Sequence, residues 1–235
     1  MASVALIGGD GSGKTTVAKN FVQTSKLPSK YLYMGLSTLK SSPAFPTTLL
    51  IRYFKMRSYK KSGNSNSEQY EDPSFTQDYH HNPTKRSDIW HSIRSVNYLI
   101  DVLYRQVYSW IYQLQGYLVI YDRHFLFMAA PEYRGEQKEY QHWIDHALYW
   151  IFDRIYPKPN LVVFLDAPPE ILYARKPEGK LDYLEKRRIA TLEQGKKMQN
   201  FICIDATQSL ENVGNEFERI IFNIFSRKTD NSRGE

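Results

Sequence analysis

The segment Gly8-Gly9-Asp10-Gly11-Ser12-Gly13-Lys14-Thr15 constrains this chain more than any other. It fits G-x-x-x-x-G-K-[ST], with an apolar run (Val4–Ile7) before it and a helical pattern (Val17–Val22) after it. Residues this small let a ring of backbone N–H groups close around a phosphate chain, and glycine supplies the φ freedom the ring needs. The helix N-terminus adds positive dipole. In such loops the lysine reaches the β- and γ-phosphates and the hydroxyl that follows it is a ligand to Mg²⁺. The expected nucleotide-binding set is therefore Gly9, Asp10, Gly11, Ser12, Gly13, Lys14, Thr15 and Thr16, with Lys14 catalytic and Thr15 on the metal.

The rest of the chain alternates strands and helices. Val4–Ile7, Leu118–Tyr121, Leu161–Leu165 and Phe201–Ile204 are apolar without alternation, as strands covered on both faces should be, and Tyr31–Met34 is a weaker fifth candidate. Ile93, Val96, Ile100, Leu103, Val107, Trp110 and Leu114 recur every three or four residues and mark an amphipathic helix that Gly116 ends. Trp143–Ile155, Leu181–Met198 and a stretch from Leu210 to Ile224 read as further helices. A βαβ alternation of this kind predicts a parallel sheet with right-handed crossovers in one domain spanning residues 1–235. Lys60–Arg86 is polar and aperiodic and reads as a mobile inserted loop; Arg227–Glu235 reads as a frayed tail.

Composition narrows the classes. The lone cysteine, Cys203, rules out an internal disulfide framework and a cysteine-based metal site, and its apolar neighbours predict a small buried hydrophobe. No apolar stretch approaches the about 20 residues of a membrane span, and the N-terminus has no basic segment ahead of an apolar one. A cytoplasmic setting is the default expectation. The net charge of +6 is modest and scattered, so nucleic acid is not the expected partner; handling polyphosphates also calls for cations.

A second motif stands at the end of an apolar strand: Val119-Ile120-Tyr121-Asp122-Arg123-His124. Ligands of doubly wound sheets bind at the carboxyl ends of the strands. Arginine offers a permanently charged planar fork for phosphate oxygens, and a nearby carboxylate can hold a metal-bound water or take a hydroxyl proton.

With Asp10 inside the loop and Thr15-Thr16 closing it, Gly9–Thr16 resembles the loop of thymidylate kinases, G-x-D-G-x-G-K-[ST]-T. Asp122-Arg123-His124 is similar to their Asp-Arg-[Tyr/His]. Leu165-Asp166-Ala167-Pro168-Pro169-Glu170, with Arg175-Lys176 and Tyr183-Leu184-Glu185-Lys186-Arg187, is similar to their strand before the lid, the lid and its following helix. Ile204-Asp205-Ala206-Thr207 is similar to their loop near the adenine. The resemblance implies a P-loop NTPase three-layer sandwich, with a five-stranded parallel sheet flanked by helices. It implies ATP with Mg²⁺ as donor and a nucleoside monophosphate as acceptor, with dTMP a candidate. It places Asp10 and Arg123 on the acceptor, Asp122 on Mg²⁺ or the acceptor, and a lid at residues 175–188 whose Arg175 closes over the phosphates. Arg94 and Arg105 are candidates for the acceptor side, Arg105 foremost, and the long helix is a candidate for homodimerisation.

One departure is plain: Tyr33-Met34-Gly35-Leu36-Ser37 has no arginine, whereas thymidylate kinases carry an arginine-bearing segment after the second strand. A kinase of a nucleoside or another small metabolite, a regulatory P-loop NTPase and a nucleotide-binding module stay open as alternatives, although no N-K-x-D guanine motif is present. Asp78, His80 and His81 could suggest a metal site, as could His142 with His146 at i, i+4, but two histidines on one helical turn lack a third ligand, and surface residues are the expectation.

Overall fold

The computed structural model describes residues 2–35, 43–61, 85–129, 150, 154, 156–177 and 180–231. The five apolar runs all form strands: β1 (Ala2–Gly8), β2 (Ser29–Tyr33), β3 (Leu118–Asp122), β4 (Leu161–Asp166) and β5 (Phe201–Asp205). They make one parallel sheet in the order β2-β3-β1-β4-β5. β1 lies at its centre with β3 on one side and β4 on the other, so the strand order reverses about its carboxyl end. A ligand crevice belongs at such a switch point. The register sets Leu6 beside Asp122 and Gly8 beside Leu165. The loop after β1 and the Asp-Arg pair after β3 therefore emerge at the same level.

Alternate strand residues feed two separate cores. Val4, Leu6, Ile120 and Val163 pack beneath α1 (Lys14–Thr24) and the last helix, where Phe21 meets Phe217 edge-on at 5.3 Å. Ala5, Ile7, Val119 and Phe164 pack on the opposite face, with Leu99 and Val102 of the long helix. This is the α/β three-layer sandwich, with a five-stranded parallel sheet between helices. Burial on both faces is why these strands read as unbroken apolar runs.

The remaining helices are α2 (Pro46–Lys61), α3 (Lys85–Leu114), α4 (Phe125–Ala129), α5 (Pro169–Arg175), α6 (Leu181–Lys196) and α7 (Leu210–Asn231). α2 was not expected; its sequence signal is Pro46 at the first helical position. The expected loop Lys60–Arg86 thus begins and ends in helix, and its residues 62–84 lie outside the described set. Of the expected helix Trp143–Ile155, only Trp150 and Arg154 are described, both helical. The expected frayed tail is helical as far as Asn231. Asp78, His80, His81, His142 and His146 lie outside the described residues. Among the described residues no helix is long and apolar enough to cross a membrane.

Two expectations are reversed. Cys203 is exposed, on the edge strand β5. The apolar stripe of α3 is also not its buried face: Val96, Ile100, Leu103, Val107, Trp110 and Leu114 are 39–70 % exposed. The face turned to the sheet carries Leu99 and Val102 together with Asp101, Arg105, Gln106 and Ser109. Three of these polar groups, Asp101, Arg105 and Ser109, are paired; Gln106 Oε1 is buried without a hydrogen-bond partner. Arg105, only 1 % exposed, meets Asp101 at 2.7 Å and donates to the carbonyls of Tyr33 (2.7 Å) and Gly35 (3.2 Å). Asp101 also accepts from the Phe45 amide at 2.7 Å. Ser109 Oγ lies 2.6 Å from the Tyr121 hydroxyl. Periodicity finds an amphipathic helix but cannot say which stripe faces inward when the buried one is a hydrogen-bonded network.

Candidate functional site

The loop Gly8–Thr15 joins β1 to α1, as its motif requires. Its glycines answer two demands. Gly11 and Gly13 sit at φ 90° and 87°, a region costly for any residue with a Cβ. Neighbours also leave no room: a Cβ on Gly11 would stand 2.7 Å from the Leu172 carbonyl of α5, and one on Gly13 would stand 2.9 Å from Leu210 of α7. No side chain caps α1, whose N-cap is Gly13, so its first N–H groups are left for an anion. Thr16 is exposed in the first turn, and Ser12 is buried with no partner for its hydroxyl.

Lys14 is only 5 % exposed. Its Nζ donates to the Gly9 carbonyl at 2.6 Å and lies 3.9 Å from the Asp10 carboxylate. Burial, with the charge of Arg123, pushes its pKa down to about 8 against the pull of Asp10. Burial would raise the Asp10 pKa, but the charges of Arg123, Lys14, Arg187 and Lys176 outweigh it and hold the carboxyl well below the usual range. Four cations thus converge on one carboxylate. A polyanion bound here would relieve their mutual repulsion.

Asp122 ends β3 and is 0 % exposed. Its Oδ2 accepts from Thr15 Oγ1 at 2.6 Å and from the Tyr31 hydroxyl at 2.8 Å. Its Oδ1 is buried with no hydrogen-bond partner. Burial and the charge of Asp122 push the Tyr31 phenol far above the usual tyrosine range, so it acts as donor. A bare buried carboxylate oxygen beside a threonine hydroxyl is a donor set of the hard, all-oxygen kind that suits Mg²⁺.

Arg123 follows at φ 72°, the one positive φ among the described non-glycine residues. Its amide donates to Leu6 O at 3.0 Å, and its guanidinium pairs with Asp10. Left-handed backbone at a non-glycine residue costs on the order of 1–2 kcal/mol. Such strain clusters at functional positions, where it aims a side chain. A Cβ at Gly35 would meet the Tyr33 ring and lie 2.7 Å from Arg123 Cδ, so both side chains would have to shift. His124 is buried between Tyr121 and Tyr156, and burial pushes its pKa down to about 3, so it is neutral.

Asp10, Lys14, Thr15, Asp122 and Arg123 therefore come together at the carboxyl ends of β1 and β3. Two expected site residues do not join them. Arg105 is the buried clamp described above; it holds the end of β2 instead of facing an acceptor. Arg175, expected over the phosphates, turns to the loop after β5 and donates to Ala206 O (2.6 Å), Thr207 O (3.2 Å) and Gln208 O (3.4 Å). It sits in the last turn of α5, and its fork finds three carbonyls after β5. Arg188 is bound to Asp166 through two contacts of 2.6 and 3.0 Å. Of the lid cluster, Lys176 and Arg187 are the cations whose fields reach Asp10. The sequence reading missed Tyr31, which no motif contains, and the role of α5 in demanding glycine.

Sheet order, switch point and loop define the class of the protein: a three-layer α/β sandwich of the P-loop NTPase type. Over 126 residues the chain is 32 % identical to a probable thymidylate kinase of Archaeoglobus fulgidus, a match covering 50 % of this chain and 59 % of that protein. In that match the chain spans about three fifths of its relative's length. No protein-family model matches the chain. The likeness to thymidylate kinases read from the motifs thus has a counterpart in a match over half of the chain.

Proposed function

We propose that the chain is an ATP- and Mg²⁺-dependent phosphotransferase acting on a nucleoside monophosphate, with dTMP the first acceptor to try. The observation that carries this reading is the gathering of Lys14, Asp10, Asp122 and Arg123 at the carboxyl ends of β1 and β3, with one buried Asp122 oxygen left without a partner. The described similarity to a probable thymidylate kinase supports the same class.

In this reading the loop amides and Lys14 bind the β- and γ-phosphates. Lys14 leaves the Gly9 carbonyl, which retains the Ser12 amide at 3.2 Å. Thr15 and Asp122 would hold Mg²⁺, which neutralises charge on the nucleotide phosphates. Arg123 spans the transferring and acceptor phosphates, and Asp10 orients that guanidinium and faces the acceptor sugar. An acceptor phosphate oxygen forms a bond to the γ-phosphorus as the bond to the β-bridging oxygen breaks, leaving ADP and a diphosphate product. Arg175, on the carbonyls of Ala206, Thr207 and Gln208, shapes the rim where the adenine would lie. Arg187 supplies the cation from the lid side.

The test is ADP release from ATP·Mg²⁺ with a panel of nucleosides and nucleoside monophosphates. ADP that depends on a monophosphate, dTMP above others, is the expected result. Slow ADP release indifferent to every acceptor would mark a regulatory NTPase and overturn the reading. ATP binding without turnover would mark a binding module.

The exposed stripe of α3 supports a second proposal, a homodimer. Val96, Ile100, Leu103, Val107, Trp110 and Leu114 alternate steps of four and three, the spacing of a helix–helix seam. A large exposed apolar stripe usually meets a partner, and a second copy offers the same stripe. Sedimentation equilibrium should give twice the chain mass, and Val107→Glu should give the monomer. A wild-type monomer at tens of micromolar would refute it.

A further inference from the structure

We propose that Tyr31, on β2, is a positioning residue for the divalent-cation site: its hydroxyl, with that of Thr15, locks the Asp122 carboxylate so that one oxygen stays bare for the metal. The proposal rests on the metal role given to Asp122 above. Its basis is geometric. Tyr31 pairs in register with Ile120, so its side chain lies on the same face as that of Asp122, one diagonal step away. It reaches Asp122 Oδ2 at 2.8 Å from the β2 side, while Thr15 reaches the same oxygen at 2.6 Å from α1. One donor would leave the carboxylate free to rotate. Two donors from different elements, converging on one oxygen, leave a single orientation in which Oδ1 has no partner.

A fully buried carboxylate oxygen without a partner is costly, and the protein tolerates it beside the phosphate loop. Tyr31 is itself held in place: its ring packs against the core under α1, and the Lys19 ammonium lies 5.6 Å from the ring centroid. A phenol is the side chain that can span from the edge strand to the end of β3. Phenylalanine would keep the packing and lose only the hydroxyl. Partners that orient a metal ligand in this way typically change metal affinity when removed, with less effect on the chemistry once metal is saturating.

The experiment compares wild type with Tyr31→Phe in three measurements. Mn²⁺ is titrated into the protein with ADP and followed by electron paramagnetic resonance; the Mg²⁺ dependence of ADP formation is measured; and ADP affinity is measured without metal. The variant should bind Mn²⁺ about tenfold more weakly and need about tenfold more Mg²⁺ for half-maximal rate. Its kcat at saturating Mg²⁺ should stay within about twofold, and its metal-free ADP affinity should match wild type, which shows that the loop is folded. Unchanged Mn²⁺ affinity overturns the proposal, as does a fall in kcat that is the same at every Mg²⁺ concentration. A wild-type protein that binds Mn²⁺·ADP but turns over no acceptor removes the kinase reading, and the Mn²⁺ titration then decides the role of Tyr31 by itself.

Discussion

Lys14→Ala is expected to lower acceptor-dependent ADP formation by about 10³-fold or more while leaving the protein as stable as wild type, or more so. The two halves of this expectation have one cause. Lys14 is a buried ammonium whose pKa is pushed down to about 8 from 10.5. A lowered pKa means that the folded state binds the proton less tightly than the unfolded chain does. The resulting penalty is fully present below pH 8 and is relieved as pH rises from about 8 towards 10.5. At pH 7 the folded protein therefore carries this lysine at a cost. Removing it relieves the repulsion with Arg123 and leaves the Gly9 carbonyl with its bond from Ser12 N. In the proposed function, phosphate binding is what offsets this cost. The rate is read as ADP release at saturating dTMP, and stability as a urea midpoint. Turnover within tenfold of wild type would remove Lys14 from the chemistry. A large drop in the midpoint would make it a structural residue.

Arg123→Gly is expected to separate activity from stability as sharply. Glycine accepts φ 72° freely, so the variant sheds a left-handed strain of about 1–2 kcal/mol. It also makes the unfolded chain more flexible, an opposing term of about 0.5–1 kcal/mol. The Asp10 carboxyl, partly open to solvent, loses its first counter-charge but keeps Lys14 at 3.9 Å. Net stability should therefore stay within about 1 kcal/mol of wild type. Activity should fall on the order of 10²–10³-fold, because the planar fork between donor and acceptor phosphates is gone. ATP affinity, which rests on the loop, should change little. Arg123→Lys should recover only part of the rate, since a point charge cannot contact two phosphates as a fork does. Full activity in the glycine variant would mean that the pair with Asp10 is only a strand-end salt bridge, and that the backbone strain serves something else.

Much of the carboxyl end of the sheet is legible in the sequence because its requirements are local. A loop that must place amides around phosphates needs small residues at fixed offsets, so Gly8–Thr15 can be read without a fold. Strands buried on both faces must be apolar throughout, so β1, β3 and β4 appear as runs; the edge strands β5 and β2, less buried, are still apolar enough to detect. Asp122 and Arg123 are legible once a strand is seen to end there. Which way a side chain faces is not legible in this way. Arg105 lies on a helix near the expected acceptor side, yet it is turned inward to Asp101 and the backbone at Tyr33 and Gly35. Arg175 begins the segment that resembles a lid, yet three carbonyls after β5 claim its guanidinium. The apolar stripe of α3 is exposed and its polar stripe is buried. Charge and periodicity are properties of one segment, whereas orientation depends on what another segment presents.

By itself the sequence determined the parallel α/β architecture, the phosphate loop and the strand end opposite it, because backbone sterics, dipoles and burial act within a few residues of each. Tertiary structure alone decided that Thr15 and Tyr31, 16 positions apart and on different elements, meet on one oxygen of Asp122. It also decided that the strained Arg123 reaches Asp10, and which cations share the field around Lys14. Those contacts join residues brought together by the strand order β2-β3-β1-β4-β5, and no spacing along the chain encodes them.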